Sequence, residues 1–224
     1  MSRVVRPDGR CAGVDGCRRG WVVATRAGVE LVASIGDVLA EDFDVVGIDM
    51  PIGLPDDGVR SCEPEARRFI APRGSTIFPT PSRACLDALD YPHACELSRA
   101  VTGKAISKQA WHILPRIREV DTCAAAVDGE RVIEVHPECS FAMMNGGVVM
   151  PSKHTRDGIA ARTAAIERVF DIVPPRIAGA QRDDVLDAFA VLWSTERFAR
   201  GMHRSFPSEG HEFDGRGRLM RIIV

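Results

Sequence analysis

Carboxylates follow three apolar segments of the chain, and this repeated placement is the first indication of chemistry. The segment CAGVD ends at Asp15, VVGID ends at Asp49, and VIEVHPE carries Glu134 near its end with Glu138 just beyond. Each segment has the composition of a β-strand. If these strands are parallel neighbours, their carboxyl ends share one edge of the sheet, where open α/β sheets bind ligands. We therefore expect these acids to lie close together.

A fourth group of acids lies in the late segment RDDVLDAFAVL, which has helical spacing of its apolar residues. Asp184 and Asp187 are three positions apart, so both project from one face of the helix. Val185 and Leu186 belong to the side that packs inward. The two acids therefore lie at the edge of the apolar stripe and face the sheet.

Electrostatics restricts what such a cluster can be. Two carboxylates about 4 Å apart repel by about 4 kcal/mol at an effective dielectric near 20, and a whole domain is stable by only about 5–15 kcal/mol. A cluster persists if it shares a proton or binds a divalent cation. Oxygen ligands without thiolates or paired histidines favour Mg²⁺ or Mn²⁺. We expect the metal ligands to be Asp15, Asp49, Asp184 and Asp187.

Each acid also has a simpler explanation when it is taken alone. Asp15 could begin a turn, Asp49 could end a strand before Pro51, and Asp184 could cap its helix. Asp187 has no such explanation, because it lies inside the helix just before an apolar run. His136 could contact a metal or a leaving group, or be a buried, hydrogen-bonded histidine.

Cations that could bind phosphate are found in and around a predicted helical insertion. Guanidinium and ammonium groups suit phosphate oxygens, and some of these side chains are expected to line a cleft above the acids. Solvated surface charge is the alternative for each of them. The residues predicted to bind substrate are Arg19, Arg67, Arg83 and Lys108, with Arg68, Arg73, Lys104 and Lys153 as further candidates.

The segments that must position these side chains alternate between strand and helix. Residues 10–34 read as three short strands joined by tight turns, which predicts an antiparallel meander. Residues 35–43 allow one or two helical turns before the strand that ends at Asp49, so this strand can run parallel to the first. A largely helical insertion is expected at about 56–128, with Pro115 kinking or dividing its last helix. A strand, two helices and a final edge strand follow.

The composition excludes several classes of protein. The 224 residues predict a single domain over residues 1–224, and a net charge of −2 argues against a broad duplex-binding surface. Seven cysteines without a Cys-x-x-Cys pair argue against a disulfide framework or a zinc ribbon. There is no apolar run of about 18 residues, and the start MSRVVRPDGRC lacks a secretion signal. We expect a cytoplasmic protein without a membrane partner.

Seven stretches between about residues 11 and 195 carry a family resemblance: GVDGCRRGWVVA, VVGIDMPIGLP, CEPEARR, FPTPSRA, GKAISKQAW, VIEVHPECSF and DDVLDAFAVL. In this order they resemble the family of predicted ribonuclease H-like nucleases known as domain of unknown function 429. The resemblance implies an α/β fold with a five-stranded mixed sheet in the order 3-2-1-4-5, flanked by helices. It implies an essential acid at Asp15, a second at Asp49, a late-helix pair at Asp184 and Asp187, and a further acid at Glu134.

The expected function is hydrolysis of nucleic acid or another phosphodiester by carboxylate-held Mg²⁺ or Mn²⁺. Two alternatives stay open. The segment GVDGCRRG resembles the first phosphate loop of sugar kinases and actin-like ATPases, although these need a second such loop and two repeated subdomains. A non-catalytic module that binds nucleic acid or protein is the other alternative. The sequence does not show whether the substrate is RNA or DNA, or whether cleavage is internal or from an end. It also leaves the oligomeric state open.

Overall fold

The computed structural model of the chain describes residues 9–127 and 129–224. Most of the segment MSRVVRPDGRC, on which the expected absence of a secretion signal depends, lies outside these residues. The expectation about this segment therefore stays a prediction. Asp128, the last residue of the predicted insertion, also lies outside the described residues.

A five-stranded mixed sheet forms the centre of the fold. The strands are β1 (Cys11–Cys17), β2 (Gly20–Thr25), β3 (Gly28–Val32), β4 (Val45–Ile48) and β5 (Val132–Glu134). β1, β2 and β3 form an antiparallel meander, while β4 pairs parallel with β1, and β5 pairs parallel with β4. The order is β3-β2-β1-β4-β5. This confirms both the predicted meander and the sheet order that the resemblance implied.

Helices and short turns connect β3 to β5. α1 (Ile35–Ala40) provides the crossover to β4, and the insertion then contains α2 (Cys62–Phe69), α3 (Tyr91–Thr102) and α4 (Lys108–Ala124). The helical insertion is confirmed, but α4 runs through Pro115 without dividing there. Leu114, Ile117 and Val120 of α4 are all buried, so tertiary packing on both sides of the proline maintains the helix.

Three helices follow β5, where the sequence had predicted two. α5 (Pro137–Met144), α6 (Arg156–Phe170) and α7 (Arg182–Ala199) precede two short strands, β6 (Ser205–Phe206) and β7 (Ile222–Ile223). Pro137 suits both the end of a strand and the first turn of a helix, so the sequence alone does not show that α5 begins there. β7 pairs with β6, and Ile223 bridges to Val135 beside β5. The tail therefore reaches the predicted sheet edge through a single bridge.

Helices cover both faces of the sheet. α1, α3 and α4 pack against the face that carries Val14 and Trp21, whereas α6 and α7 pack against the face that carries Val22 and Val45. α2 and the tail form a third, smaller apolar cluster with α5. No helix in the described parts of the chain combines the length and the apolar character that crossing a bilayer requires.

Two paired glycines let α7 lie directly on the sheet. Gly13 of β1 and Gly47 of β4 are register neighbours. A Cβ atom on Gly13 would be 2.1 Å from the backbone nitrogen of Leu192, and one on Gly47 would be 2.0 Å from Thr195 Oγ1. The absence of side chains at these two positions therefore determines how closely α7 packs against the sheet. It also fixes how close the acids of α7 come to the ends of β1 and β4.

The close approach of α7 to β1 leads to a stability prediction. We expect Gly13→Ala to lower the free energy of unfolding by about 3 kcal/mol or more, because overpacking costs about 1–3 kcal/mol even where side chains can yield, and here the contact is with backbone. The matched control is Gly36→Ala in α1, where the nearest atom is Cys123 Sγ at 3.6 Å. Helix propensity predicts that this change stabilises the protein by up to about 1 kcal/mol. Urea unfolding of the two variants compares them, and equal stabilities would contradict the proposed packing.

Candidate functional site

Four aspartates from three separate elements line a single cleft at the carboxyl edge of the sheet. Asp15 lies in β1 opposite Val22, and Asp49 follows β4, where its backbone N–H donates to Val14 O at 2.9 Å. Asp184 and Asp187 come from the first turns of α7. The cleft has a volume of about 430 Å³, and Glu134 also contributes to its wall. The structure therefore brings together all five acids that the sequence singled out.

The central carboxylates lack the partners that buried acids normally have. Asp15 is 7% exposed and Asp187 is 4% exposed. Among the described residues, no donor binds the carboxylates of Asp15 and Asp49, and the Oδ1 atom of Asp187 is buried without a hydrogen bond. Buried polar atoms are nearly always hydrogen-bonded. These oxygens are therefore available to a ligand.

Burial and mutual repulsion shift the titration of these acids upward. Burial, followed by repulsion from Asp49 and Asp187, raises the pKa of Asp15 well above its usual range. Burial, followed by repulsion from Asp187, raises the pKa of Asp49 to about 8. For Asp187, burial raises the pKa to about 6 although Lys153 acts in the opposite direction. Without a bound cation, the cluster therefore retains protons near neutral pH.

Lys153 supplies a positive charge to the cluster. It lies in the segment before α6, and its Nζ atom is 2.7 Å from Asp187 Oδ2 and 3.6 Å from Asp183 Oδ2. Burial disfavours its charge, but attraction to Asp187 is strong enough to raise the pKa of Lys153 above its usual value. One ammonium group therefore neutralises one carboxylate and leaves the others without a counter-charge.

Asp184 has two roles in the structure. Its Oδ2 atom accepts a hydrogen bond from the backbone N–H of Gln181 at 2.7 Å, as part of a capping box at the start of α7. The simpler explanation of this acid as a helix cap is therefore correct for one oxygen. The residue also lines the cleft, where burial raises its pKa.

Two glutamates at the cleft wall are already paired with buried arginines. Glu134 accepts from Arg60 at 2.5 and 2.8 Å and from the backbone N–H of Ile52 at 2.8 Å. Glu138 accepts from Arg162 at 2.8 and 2.9 Å. Arg60 and Arg162 are each 1% exposed. These pairs form the walls of the cleft, and they differ from the central aspartates in having all their carboxylate oxygens bonded.

The four cations predicted to bind substrate do not line this cleft. Arg83 bonds Asp121 at 2.8 and 3.0 Å and also pairs with Asp214. Arg67 donates its Nε–H to the carbonyl of Ile77 at 2.8 Å. These two arginines therefore hold the insertion together.

Arg19 and Lys108, the other two predicted cations, are exposed outside the cleft wall. Lys108 begins α4, immediately before Gln109, which does line the cleft. The cations that line it are Arg60, Arg73 and Lys153. Sequence alone could not select Arg73 over Arg83, since both flank the same proline-rich loop.

His136 also lines the cleft, at the start of α5. Burial lowers its pKa to about 4, and its Nδ1 atom is buried without a hydrogen-bond partner. The imidazole is therefore neutral at pH 7 and has a free nitrogen.

The donor set suits a hard divalent cation in its chemistry, although not in its present spacing. Carboxylate oxygens are the ligands that Mg²⁺ and Mn²⁺ prefer, and the unpaired Oδ1 atom of Asp187 is one such donor. Within residues 9–127 and 129–224, however, no three His, Cys, Asp or Glu side chains are arranged so that they could hold one metal ion. Lys153 also occupies the second oxygen of Asp187.

The raised pKa values predict how stability depends on pH in the metal-free protein. The folded state binds protons at Asp49 up to about pH 8 and at Asp187 up to about pH 6, whereas an ordinary aspartate releases its proton near pH 3.8. The stability contributed by these protons is therefore present at low pH and is lost as the pH rises through the folded values. In EDTA we expect the free energy of unfolding to fall by on the order of 5 kcal/mol between pH 5 and pH 8.

Asp49→Asn should flatten this pH dependence, because Asp49 has a higher pKa than Asp187 and the variant removes its titrating carboxyl group. Urea unfolding at pH 5, 6, 7 and 8 measures the slope, and Asp42→Asn, at an exposed position, is the control that should keep the slope of the native protein. An unchanged slope in Asp49→Asn would contradict the assignment.

Comparison with known proteins yields a family but no activity. The family model described as protein of unknown function (DUF429) matches residues 13–212, which is most of the chain. No curated protein and no solved structure matches the chain. The matched region of the family model begins at Gly13, which packs against α7, and extends beyond Asp187. The chain therefore belongs to the DUF429 family, whose function is unknown.

Proposed function

We propose that this protein is a metal-dependent phosphodiesterase that acts on nucleic acid through a ribonuclease H-like arrangement of acids. The observation that carries the proposal is the shared cleft of Asp15, Asp49 and Asp187. Neither Asp15 nor Asp49 has a donor among the described residues, and Asp187 Oδ1 is buried without a hydrogen bond. Such a cluster destabilises the fold unless a ligand compensates for the repulsion. The sheet order and the position of the acids at the strand ends support the same interpretation.

Asp15, Asp49 and Asp187 would hold Mg²⁺ or Mn²⁺, with the remaining oxygen of Asp184 as a further donor. When bound, such a cation activates water and stabilises the charge that develops on a phosphodiester. The contribution of the chain is to place the carboxylates on rigid elements. Lys153 neutralises Asp187, and with a cation held at that carboxylate the ammonium group would be able to contact the substrate.

The paired glutamate Glu134 positions the segment that carries Asp49. It accepts from the backbone N–H of Ile52, while Arg60 donates to the carbonyl of Ile52 at 3.2 Å. The segment immediately after Asp49 is therefore anchored on both sides by a buried ion pair. In this proposal Glu134 is a positioning residue, because its oxygens are already bonded.

The structure also bears on the two alternatives. Actin-like and sugar-kinase phosphotransferases need two repeated subdomains, whereas the described residues form one five-stranded sheet and one two-stranded sheet. A binding module without catalysis would gain nothing from a buried acid such as Asp15, whose carboxylate has no donor among the described residues. The phosphodiesterase proposal uses those acids directly.

Removal of Asp15 provides the main test of the proposal. We expect Asp15→Asn to reduce Mn²⁺-dependent cleavage of single- and double-stranded RNA and DNA at least 100-fold, because a buried metal ligand is lost. The exposed Asp42 gives the matched control, and Asp42→Asn should cleave as the native protein does. Gel assays with end-labelled substrates measure both variants. Equal cleavage by native protein and Asp15→Asn would contradict the proposal.

Replacement of Lys153 tests where the cation binds. An ammonium group 2.7 Å from Asp187 Oδ2 opposes a second cation at the same carboxylate. We therefore expect Lys153→Met to bind Mn²⁺ three- to tenfold more tightly, measured by isothermal titration calorimetry. Arg176→Met changes an exposed charge by the same amount and should leave the affinity unchanged. Weaker or equal binding in Lys153→Met would show that the cation does not use Asp187.

A further inference from the structure

Arg73 is the one cation of the cleft, among the described residues, without a carboxylate at close hydrogen-bond distance. Arg60 and Lys153 contact their acids at 2.5 and 2.7 Å. Arg73 reaches only Glu138, at 3.5 Å, and its Nε atom is buried without a hydrogen bond. Glu138 is already held by Arg162 in two short bonds. The guanidinium of Arg73 is therefore held only by two long contacts with Glu138.

The backbone around Arg73 is fixed by several contacts. Its N–H donates to the carbonyl of Ile70 at the end of α2, at 2.7 Å. Its own carbonyl accepts from both the backbone N–H and the hydroxyl of Thr76, at 3.0 and 2.9 Å. A Cβ atom on Gly74 would be 2.8 Å from the carbonyl of Arg67, so the turn lies tightly against α2. The side chain is therefore presented from a rigid turn.

The groups beside Arg73 in the cleft can also bind an anion. Ser75 and Thr76 follow it in the same turn, and both line the cleft. Ser75 has a hydroxyl without a partner among the described residues. A planar guanidinium with an adjacent hydroxyl group is well suited to phosphate oxygens, which it can bind in a forked geometry. The volume of about 430 Å³ falls within the range of small-ligand sites, about 300–1,000 Å³.

From this arrangement we infer that Arg73 and Ser75 form a phosphate-binding subsite in the same cleft as the aspartates, and that its ligand is the phosphate of a single nucleotide unit. This inference rests on the proposed function for the kind of substrate, but the subsite binds phosphate without a metal. A nucleic acid would therefore be held through one phosphate at Arg73, while the carboxylates act on the bond next to it.

The experiment measures the binding of AMP in EDTA by isothermal titration calorimetry. Native protein should bind AMP saturably, should bind inorganic phosphate more weakly, and should not bind adenosine, which lacks the phosphate. Arg73→Gln should weaken the binding of AMP at least tenfold, and Arg73→Lys should retain part of it. Arg176→Gln removes an exposed arginine outside the cleft and should bind within twofold of the native protein.

Several results would overturn the subsite. These are a lack of saturable binding by the native protein, equal binding of adenosine, or equal losses in Arg73→Gln and Arg176→Gln. Thermal unfolding of each variant shows whether Arg73→Gln is folded, and a folded Arg73→Lys variant that binds as weakly as Arg73→Gln would show that the positive charge does not carry binding.

The same assay separates this inference from the phosphodiesterase proposal. Asp15→Asn should bind AMP as tightly as the native protein in EDTA, because the change leaves Arg73 and Ser75 in place. If Asp15→Asn abolishes cleavage while Arg73→Gln binds AMP normally, the subsite is wrong and the phosphodiesterase stands. If Arg73→Gln loses AMP while no metal-dependent cleavage is found, the subsite stands and the phosphodiesterase is wrong.

Discussion

Repulsion among buried carboxylates is the interaction on which the rest of this structure depends. Asp15 and Asp187 are almost fully buried, and Lys153 neutralises only the latter at short range. Two like charges about 4 Å apart repel by about 4 kcal/mol in a partly polar interior. The fold tolerates this cost because other contacts hold the elements in place. Chief among them is the packing of the α7 backbone on Gly13 and Gly47.

The cleft contains acids in two different states, and the difference separates structural acids from acids that are available for chemistry. Glu134 and Glu138 are each matched to a buried arginine at hydrogen-bond distance. Asp15 and Asp49 lie in the same cleft with no donor among the described residues. Asp15 is about as buried as Glu134 and Glu138, so burial alone does not distinguish the two states. The presence or absence of a hydrogen-bond partner does.

Local patterns in the sequence predicted the elements that carry the site, because their signals extend over few residues. Tight turns predicted the meander, and the three-residue spacing placed Asp184 and Asp187 on one face of α7. Long-range pairing could not be predicted in this way. The partner of Glu134 is Arg60, 74 positions earlier in an irregular segment, and nothing near either residue indicates the other. Pro137 was ambiguous for a related reason, since proline ends a strand and begins a helix equally well.

Arg73 places a positive charge in the same cleft as the negatively charged aspartates. The amino-acid composition could not indicate this arrangement. With a net charge of −2, the chain has little general attraction for nucleic acid, and its acids repel phosphate. In the proposed phosphodiesterase, a substrate would therefore be held by a local positive charge while a cation offsets the acids. Arg73 suits this proposed role because Arg162 already holds Glu138 in two short bonds, so that Arg73 makes only contacts of 3.5 Å with this acid. The buried pair of Arg162 and Glu138, remote in sequence from Arg73, is thus what would let Arg73 bind a phosphate beside a cluster of acids.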